Sequence, residues 1–164
     1  MSAFSFIKSK LAYELKRAKA LATYKVHEDA LVAALSQTMP NVAIELTNIC
    51  NANCTFCAYQ FQSRPQGVMS EETYRKVINE FAGCGGGHVH MVPTVGDSFV
   101  DPDLVDRIRY ATEKENIRSV GIISNMISMG RHGAGELINS GLTDLHVSIS
   151  GLDERMYERV YRSK

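Results

Sequence analysis

Three cysteines stand closest to chemistry in this sequence. Cys50, Cys54 and Cys57 are spaced CxxxCxxC within Asn48-Ile49-Cys50-Asn51-Ala52-Asn53-Cys54-Thr55-Phe56-Cys57. Soft thiolates select zinc, copper(I) and iron–sulfur clusters over hard cations. Three of them on one short loop can hold three irons of a 4Fe–4S cluster. Most such clusters take four cysteines, so here the fourth iron is left without a protein ligand. An open iron is a place for a small molecule to bind, which makes the site chemical rather than purely electron-carrying. The flanking Asn48, Asn51, Asn53 and Thr55 make the segment a polar loop, not a core strand.

Other uses of cysteine fit less well. Structural zinc favours four ligands in paired CxxC or Cys/His knuckles. No second CxxC exists, and His27 and His88 lie about thirty residues from the centre of the triplet. A disulfide within so short a loop would strand an odd thiol, and no signal peptide is evident. Cysteine usage points to a reducing cytoplasm. Net charge is zero over 164 residues, so the total selects neither an acidic nor a basic partner. No apolar run approaches the length of a membrane span.

The spacing, with aromatic Phe56 just before the last cysteine, resembles the radical S-adenosylmethionine (radical SAM) superfamily. The resemblance implies a 4Fe–4S cluster on Cys50, Cys54 and Cys57 whose open iron is chelated by the amino and carboxylate groups of SAM. It implies reductive cleavage of SAM to a 5′-deoxyadenosyl radical that abstracts hydrogen from a substrate. Reduced ferredoxin or flavodoxin is the implied electron donor, and a peptide or small molecule the implied substrate; nucleic acid is not expected. Within the family, the SPASM type, with extra C-terminal cysteines for auxiliary clusters, comes nearest. The rival from another class is an iron–sulfur electron-transfer or sensor module without SAM chemistry.

The elements that must position these residues alternate. Residues 4–36 read as a helix, with Ile7, Leu11, Leu15, Ala18, Ala22 and Val26 near one face and a basic outer face of Lys8, Lys10, Lys16, Arg17, Lys19 and Lys25. Met39-Pro40-Asn41 breaks it. Strand one is expected at Val42–Thr47, a helix from Ser70 as N-cap to about Ala82, and a glycine-rich return at 83–87. Strand two follows at His88–Thr94, then a helix over Pro102–Glu115 with Asp101 as N-cap. Strand three is expected at Ser119–Ser124, a short helix at Ala134–Asn139, strand four at Asp144–Ser150, and a last helix Glu154–Arg162 capped by Asp153. Alternating strands and helices predict an α/β fold with a parallel sheet. The resemblance implies a partial (βα)6-type barrel. About four βα units are present over residues 41–164, after an N-terminal helical segment over 1–40, and the chain reads as the N-terminal part of a longer protein.

In parallel α/β folds the ligand sits at the carboxyl ends of the strands. Strand one opens into the cysteine loop, strand two into Val95-Gly96-Asp97-Ser98, strand three into Ser124-Asn125-Met126, and strand four carries Ser148 and Ser150. The family usually shows Gly-Gly-Glu-Pro after strand two, which contacts the amino group of SAM; Gly96 and Asp97 stand at its Gly and Glu. Thr-Asn-Gly often follows strand three, and Ser124 and Asn125 match its first two positions. Ser148 matches a serine often found on strand four. These residues and Phe56 are the implied SAM contacts. Cys84, in the glycine run at the opposite rim, reads as an ordinary thiol. His88, His90 and His146 read as strand histidines rather than ligands.

Overall fold

The computed structural model describes residues 13–25, 27–30, 40–151 and 153–162. Contacts divide the chain into two compact units, Met1–Thr38 and Met39–Lys164. In the first, residues 13–25 and 27–30 are helical. The rest of the expected helix, including Ile7, Lys8, Lys10, Leu11 and Val26, lies outside the described residues, as does Met39 of the break.

The second unit is built on four parallel strands, β1 (Asn41–Ala43), β2 (Gly87–Met91), β3 (Ile117–Ser124) and β4 (Asp144–Val147), in the order β1-β2-β3-β4. Each strand lies beside its predecessor because a helix carries the chain back between them: α1 (Glu71–Gly83), α2 (Leu104–Thr112) and α3 (Ala134–Ile138), with α4 (Glu154–Tyr161) following β4. Alternation along the strands sorts the faces. Val89, Met91, Val120 and Ile122 are buried with Ile44 and Leu46 against Tyr74, Ile78 and Phe81 of α1 and Leu104, Ile108 and Ala111 of α2. The other face carries His88 and His90, and His88 Nδ1 meets Ser119 Oγ at 2.6 Å. The helices therefore cover one face of β2 and β3, and the second face is partly polar.

Several boundaries depart from the sequence expectation. β1 ends at Ala43 rather than Thr47. Ile44 N still donates to His90 O at 2.8 Å, but Leu46 O then accepts from Met69 N at 2.7 Å and Thr47 bridges Val68. The returning arm of the cysteine loop takes over the backbone groups that a longer strand would have paired. β2 stops at Met91, ahead of Pro93, which has no N–H to offer a ladder. α2 starts at Leu104 instead of Pro102 because Asp101 does a different job. Its Oδ1 accepts from Asp103 N at 3.0 Å, and its Oδ2 lies 3.0 Å from Arg107 Nε. Both side chains of this ion pair are buried, and Arg107 Nη2 also donates to Met69 O at 2.6 Å, tying α2 to the arm leading into α1. β3 is longer than expected by two residues at its start. β4 closes at Val147, although Ser148 N continues the ladder with 2.8 Å to Ser124 O. The caps on α1 and α4 stand as expected: Ser70 accepts from Thr73 N and Asp153 from Met156 N. At the end of α1, Gly86 has φ +61° and its N–H donates to Phe81 O at 2.9 Å, the return that the glycine run predicts.

Candidate metal and cofactor site

The cysteine loop begins where β1 leaves the sheet and is held from three sides. Thr47 Oγ1 and Asn48 Oδ1 and Nδ2 bond the arm at Pro65–Gly67 over 2.8–2.9 Å. Asp97 N donates to Ile49 O at 2.9 Å, and Gly96 presses against the same backbone. With φ +137°, Gly96 adopts a conformation that suits glycine, and a Cβ there would lie 2.6 Å from Thr47 O. From the third side, Asn53 N donates to Tyr161 O at 3.0 Å and Thr55 N to Val160 O at 2.9 Å. The last carbonyls of α4 are thus satisfied by the loop.

All nine site residues expected from the sequence border one cavity: Cys50, Cys54, Cys57, Phe56, Gly96, Asp97, Ser124, Asn125 and Ser148. It measures about 170 Å³. A second cavity of about 420 Å³, lined by Asn51, Asn53, Tyr59, Gln60 and Gln66 among others, also borders Cys50. The second lies within the size range of small-ligand sites, about 300–1,000 Å³, and the first below it. Cys84 is exposed at the end of α1, away from this rim.

The electrostatics of the first cavity bear on what its thiols can hold. All three are free. Burial pushes the Cys50 thiol above its ordinary value, and the nearby charges of Asp97, Cys54 and Cys57 push it further. Burial and Cys57 push Cys54 up in the same way. A Lys, Arg or His⁺ beside a cysteine, like a helix N-terminus, a metal or a second cysteine in CxxC, favours the thiolate, and no cationic side chain lines this cavity. Iron bound here would supply positive charge. Among the described residues no three His, Cys, Asp or Glu side chains converge as the ligands of one ion must. A cluster takes one thiolate at each of three corners, and three free thiols border one cavity here. The donor set therefore fits a cluster.

The polar rim is wired internally. Asp97 is 2% exposed. Its Oδ1 accepts from Phe99 N at 3.0 Å, its Oδ2 from Asn125 N at 2.8 Å, and Ser124 Oγ lies 3.0 Å from both oxygens. Burial raises its pKa, while the bonds from Asn125, Phe99 and Ser124 oppose the shift. A carboxylate has about four acceptor sites, so three donors leave one for a ligand. Ser148 sits at the end of β4, and its carbonyl accepts from Tyr161 OH at 2.7 Å. Phe56 is 61% exposed and meets Tyr161 edge-on at 6.0 Å. Three participants escape sequence reasoning: Asn51, Ser128, whose Oγ accepts from Asn51 Nδ2 at 2.6 Å, and Tyr161. Asn51 carries a usable signal, its place between two motif cysteines; Ser128 and Tyr161 carry none.

Four parallel βα units with a three-thiol loop at the carboxyl rim define a class of cluster-dependent α/β proteins, and comparison with known proteins makes it specific. The family model described as "Radical SAM superfamily" matches residues 44–164, so the chain belongs to the radical SAM superfamily, a family of enzymes. GTP 3′,8-cyclase of Vibrio cholerae is 30% identical over 121 residues, covering 71% of this chain and 35% of that protein. The enzyme of the same name from Pasteurella multocida is 26% identical over 138 residues, 82% of this chain and 40% of its own. The chain thus spans little more than a third of the length of these relatives. Among solved structures, Streptococcus suis SuiB bound to precursor peptide SuiA superposes with a TM-score of 0.62 at 14% identity, over 86% of this chain and 33% of that one. BtrN in complex with AdoMet and 2-DOIA gives 0.57 at 16% identity, over 74% and 51%. At these identities the two structures speak for the fold.

Proposed function

We propose that this protein is a radical SAM enzyme in which Cys50, Cys54 and Cys57 hold a 4Fe–4S cluster. The cluster, when bound, supplies the electron for reductive cleavage of SAM to a 5′-deoxyadenosyl radical, which takes hydrogen from a substrate. The observation that carries the reading is three free thiols bordering one cavity that no cationic side chain lines, at the carboxyl ends of parallel strands.

The chain's own residues take the remaining roles. The α4 carbonyls and the Gly96 backbone hold the loop in place. Asp97 keeps one acceptor site for the SAM ammonium while it anchors Ser124 and Asn125. Ser148 and Phe56 border the space for the rest of SAM. The proposed division takes residues 41–164 as the core segment and residues 1–40 as a second segment, helical over 13–25 and 27–30. Reduced ferredoxin or flavodoxin is the proposed electron donor, and a reducing cytoplasm keeps the thiols free. No helix among the described residues is long and apolar enough to cross a membrane. The relatives' name makes a purine nucleotide the first substrate to try, and SuiB makes a peptide the second.

Anaerobic reconstitution of the full-length protein tests this. About four irons per chain are expected, with an electron paramagnetic resonance signal that changes on adding SAM. Replacing Cys50, Cys54 or Cys57 by Ala abolishes both, whereas Cys84→Ala leaves them intact. Full iron content in Cys54→Ala overturns the assignment. An unchanged signal with SAM points instead to an electron-transfer or sensor module.

A further inference from the structure

Cys50 differs from Cys57 in what approaches its sulfur. Cys57 Sγ accepts a backbone N–H of its own loop, Tyr59 N at 3.4 Å. Cys50 Sγ meets its own loop too, at the backbone of Ala52 and at Asn51 Oδ1, 3.9 Å away, but among the described residues it alone has in addition a side-chain donor from across the rim: Asn125 Nδ2, also at 3.9 Å, from a residue 75 positions away in sequence. The distance is long but within reach of a sulfur acceptor, and the donor is fixed in place. Asn125 N donates to Asp97 Oδ2 at 2.8 Å, and Asn125 Oδ1 accepts from Ile127 N at 2.9 Å. Asn125 Nδ2 also donates to Asn51 Oδ1 at 2.9 Å, and Asn51 Nδ2 donates to Ser128 Oγ at 2.6 Å. The two ends of a carboxamide look alike in shape, and the hydrogen-bond network decides which is which. Here Ile127 N–H requires the oxygen on its side, so the NH₂ end faces Asn51 and Cys50.

A thiolate on iron is an acceptor only. A donor aimed at it favours the more negative, reduced cluster, and hydrogen bonds to the sulfurs are among the determinants of cluster potential. We infer that Asn125 is a redox-tuning residue: its carboxamide, locked between Ile127 and Asn51, donates to the Cys50 sulfur and raises the reduction potential of the cluster. Asn125 makes and breaks no bond; it biases a one-electron step. The inference rests on the radical SAM reading, and it gives Asn125 a task beyond any contact with SAM.

The test is a redox titration of the reconstituted full-length protein, followed by electron paramagnetic resonance of the reduced cluster, after iron content has been measured. Asn125→Ala removes the donor; Asn125→Asp keeps the size and replaces the donor with an acceptor. At a fixed applied potential the reduced-to-oxidised ratio is expected to fall about fivefold in Asn125→Ala, the worth of one hydrogen bond. In Asn125→Asp a fall of about tenfold is expected, or about 59 mV for a one-electron couple. If Asn125→Ala does not keep its iron, Asn125→Asp decides. Ratios within about twofold of the unaltered protein, with iron retained, overturn the inference, since a single hydrogen bond is worth more than that. Loss of iron from both variants also overturns it, because the contact then holds the cluster instead of tuning it. If the unaltered protein takes up no iron, the radical SAM reading itself has failed and the inference goes with it.

Discussion

Asp97 joins the strand-two rim to the strand-three rim with a single short side chain. It receives the N–H of Phe99, the N–H of Asn125 and the hydroxyl of Ser124, and it does so fully buried. Changing it to Asn substitutes an NH₂ for one of the two oxygens. Whichever oxygen is replaced, at least one of the three donors then faces another donor. One buried donor left unmatched costs about 1–3 kcal/mol. Asp97→Asn should therefore lower the denaturant midpoint with an unchanged slope. If Asp97 also receives the SAM ammonium, the same change weakens SAM binding roughly tenfold, the scale of a charge-assisted bond. Iron content should stay at the unaltered level, since Asp97 is not among the proposed thiol ligands. A midpoint equal to that of the unaltered protein would show that the rim does not depend on this carboxylate. Unchanged SAM affinity with a lowered midpoint would confine Asp97 to anchoring the rim.

At the scale of elements, the last helix matters more than its position suggests. The end of α4 receives N–H groups from Asn53 and Thr55, and its Tyr161 ties Ser148 to the cysteine loop. Tyr161 is 1% exposed, stacks on Tyr157 at 4.4 Å and meets Phe56 edge-on. Truncating a fully buried aromatic costs about 3–5 kcal/mol. Tyr161→Ala is accordingly expected to destabilise the unit and to speed iron loss to a chelator. Tyr161→Phe removes only the bond to Ser148 O, about 1 kcal/mol, and should keep iron nearly as well. Equal release rates in the Ala variant and the unaltered protein would show that α4 does not clamp the loop. The start of α4 was legible in the sequence because a cap is local: Asp153 bonds the N–H three residues on. Its clamp was not, because the bond from Asn53 to Tyr161 joins distant segments and needs no special residue type, only a backbone. The same holds for Asp101. A cap was a sound reading of Asp-Pro, but a buried Arg107 one helical turn into α2 drew the carboxylate elsewhere.

For the whole unit, the order of the strands and the gathering of the site were both readable, and for one reason. Successive parallel strands joined by helices end at the same rim, so residues just past each strand must meet there. Less readable was the asymmetry of the sheet. Parallel strands buried on both faces read as continuous apolar runs, whereas here β2 alternates histidine with apolar residues and all of β4 is exposed. β4 pairs only with β3 among the described strands. Leu145 and Val147 pair with Ile122 and Ser124 and so share the face that the helices cover at β2 and β3, yet they are 39% and 49% exposed, so the cover of α1 and α2 does not reach β4. Amides open locally where few apolar contacts hold them. In the 164-residue chain, hydrogen exchange should thus be slowest at Val89, Met91, Val120 and Ile122. The amides of β4 should exchange at least about tenfold faster, a gap of about 1.4 kcal/mol in opening free energy. Such an edge also invites pairing with a second chain, so the contrast should shrink as protein concentration rises. Equal protection of all four strands in dilute solution would mean that β4 is covered on its free side, and the picture of an open edge would fail.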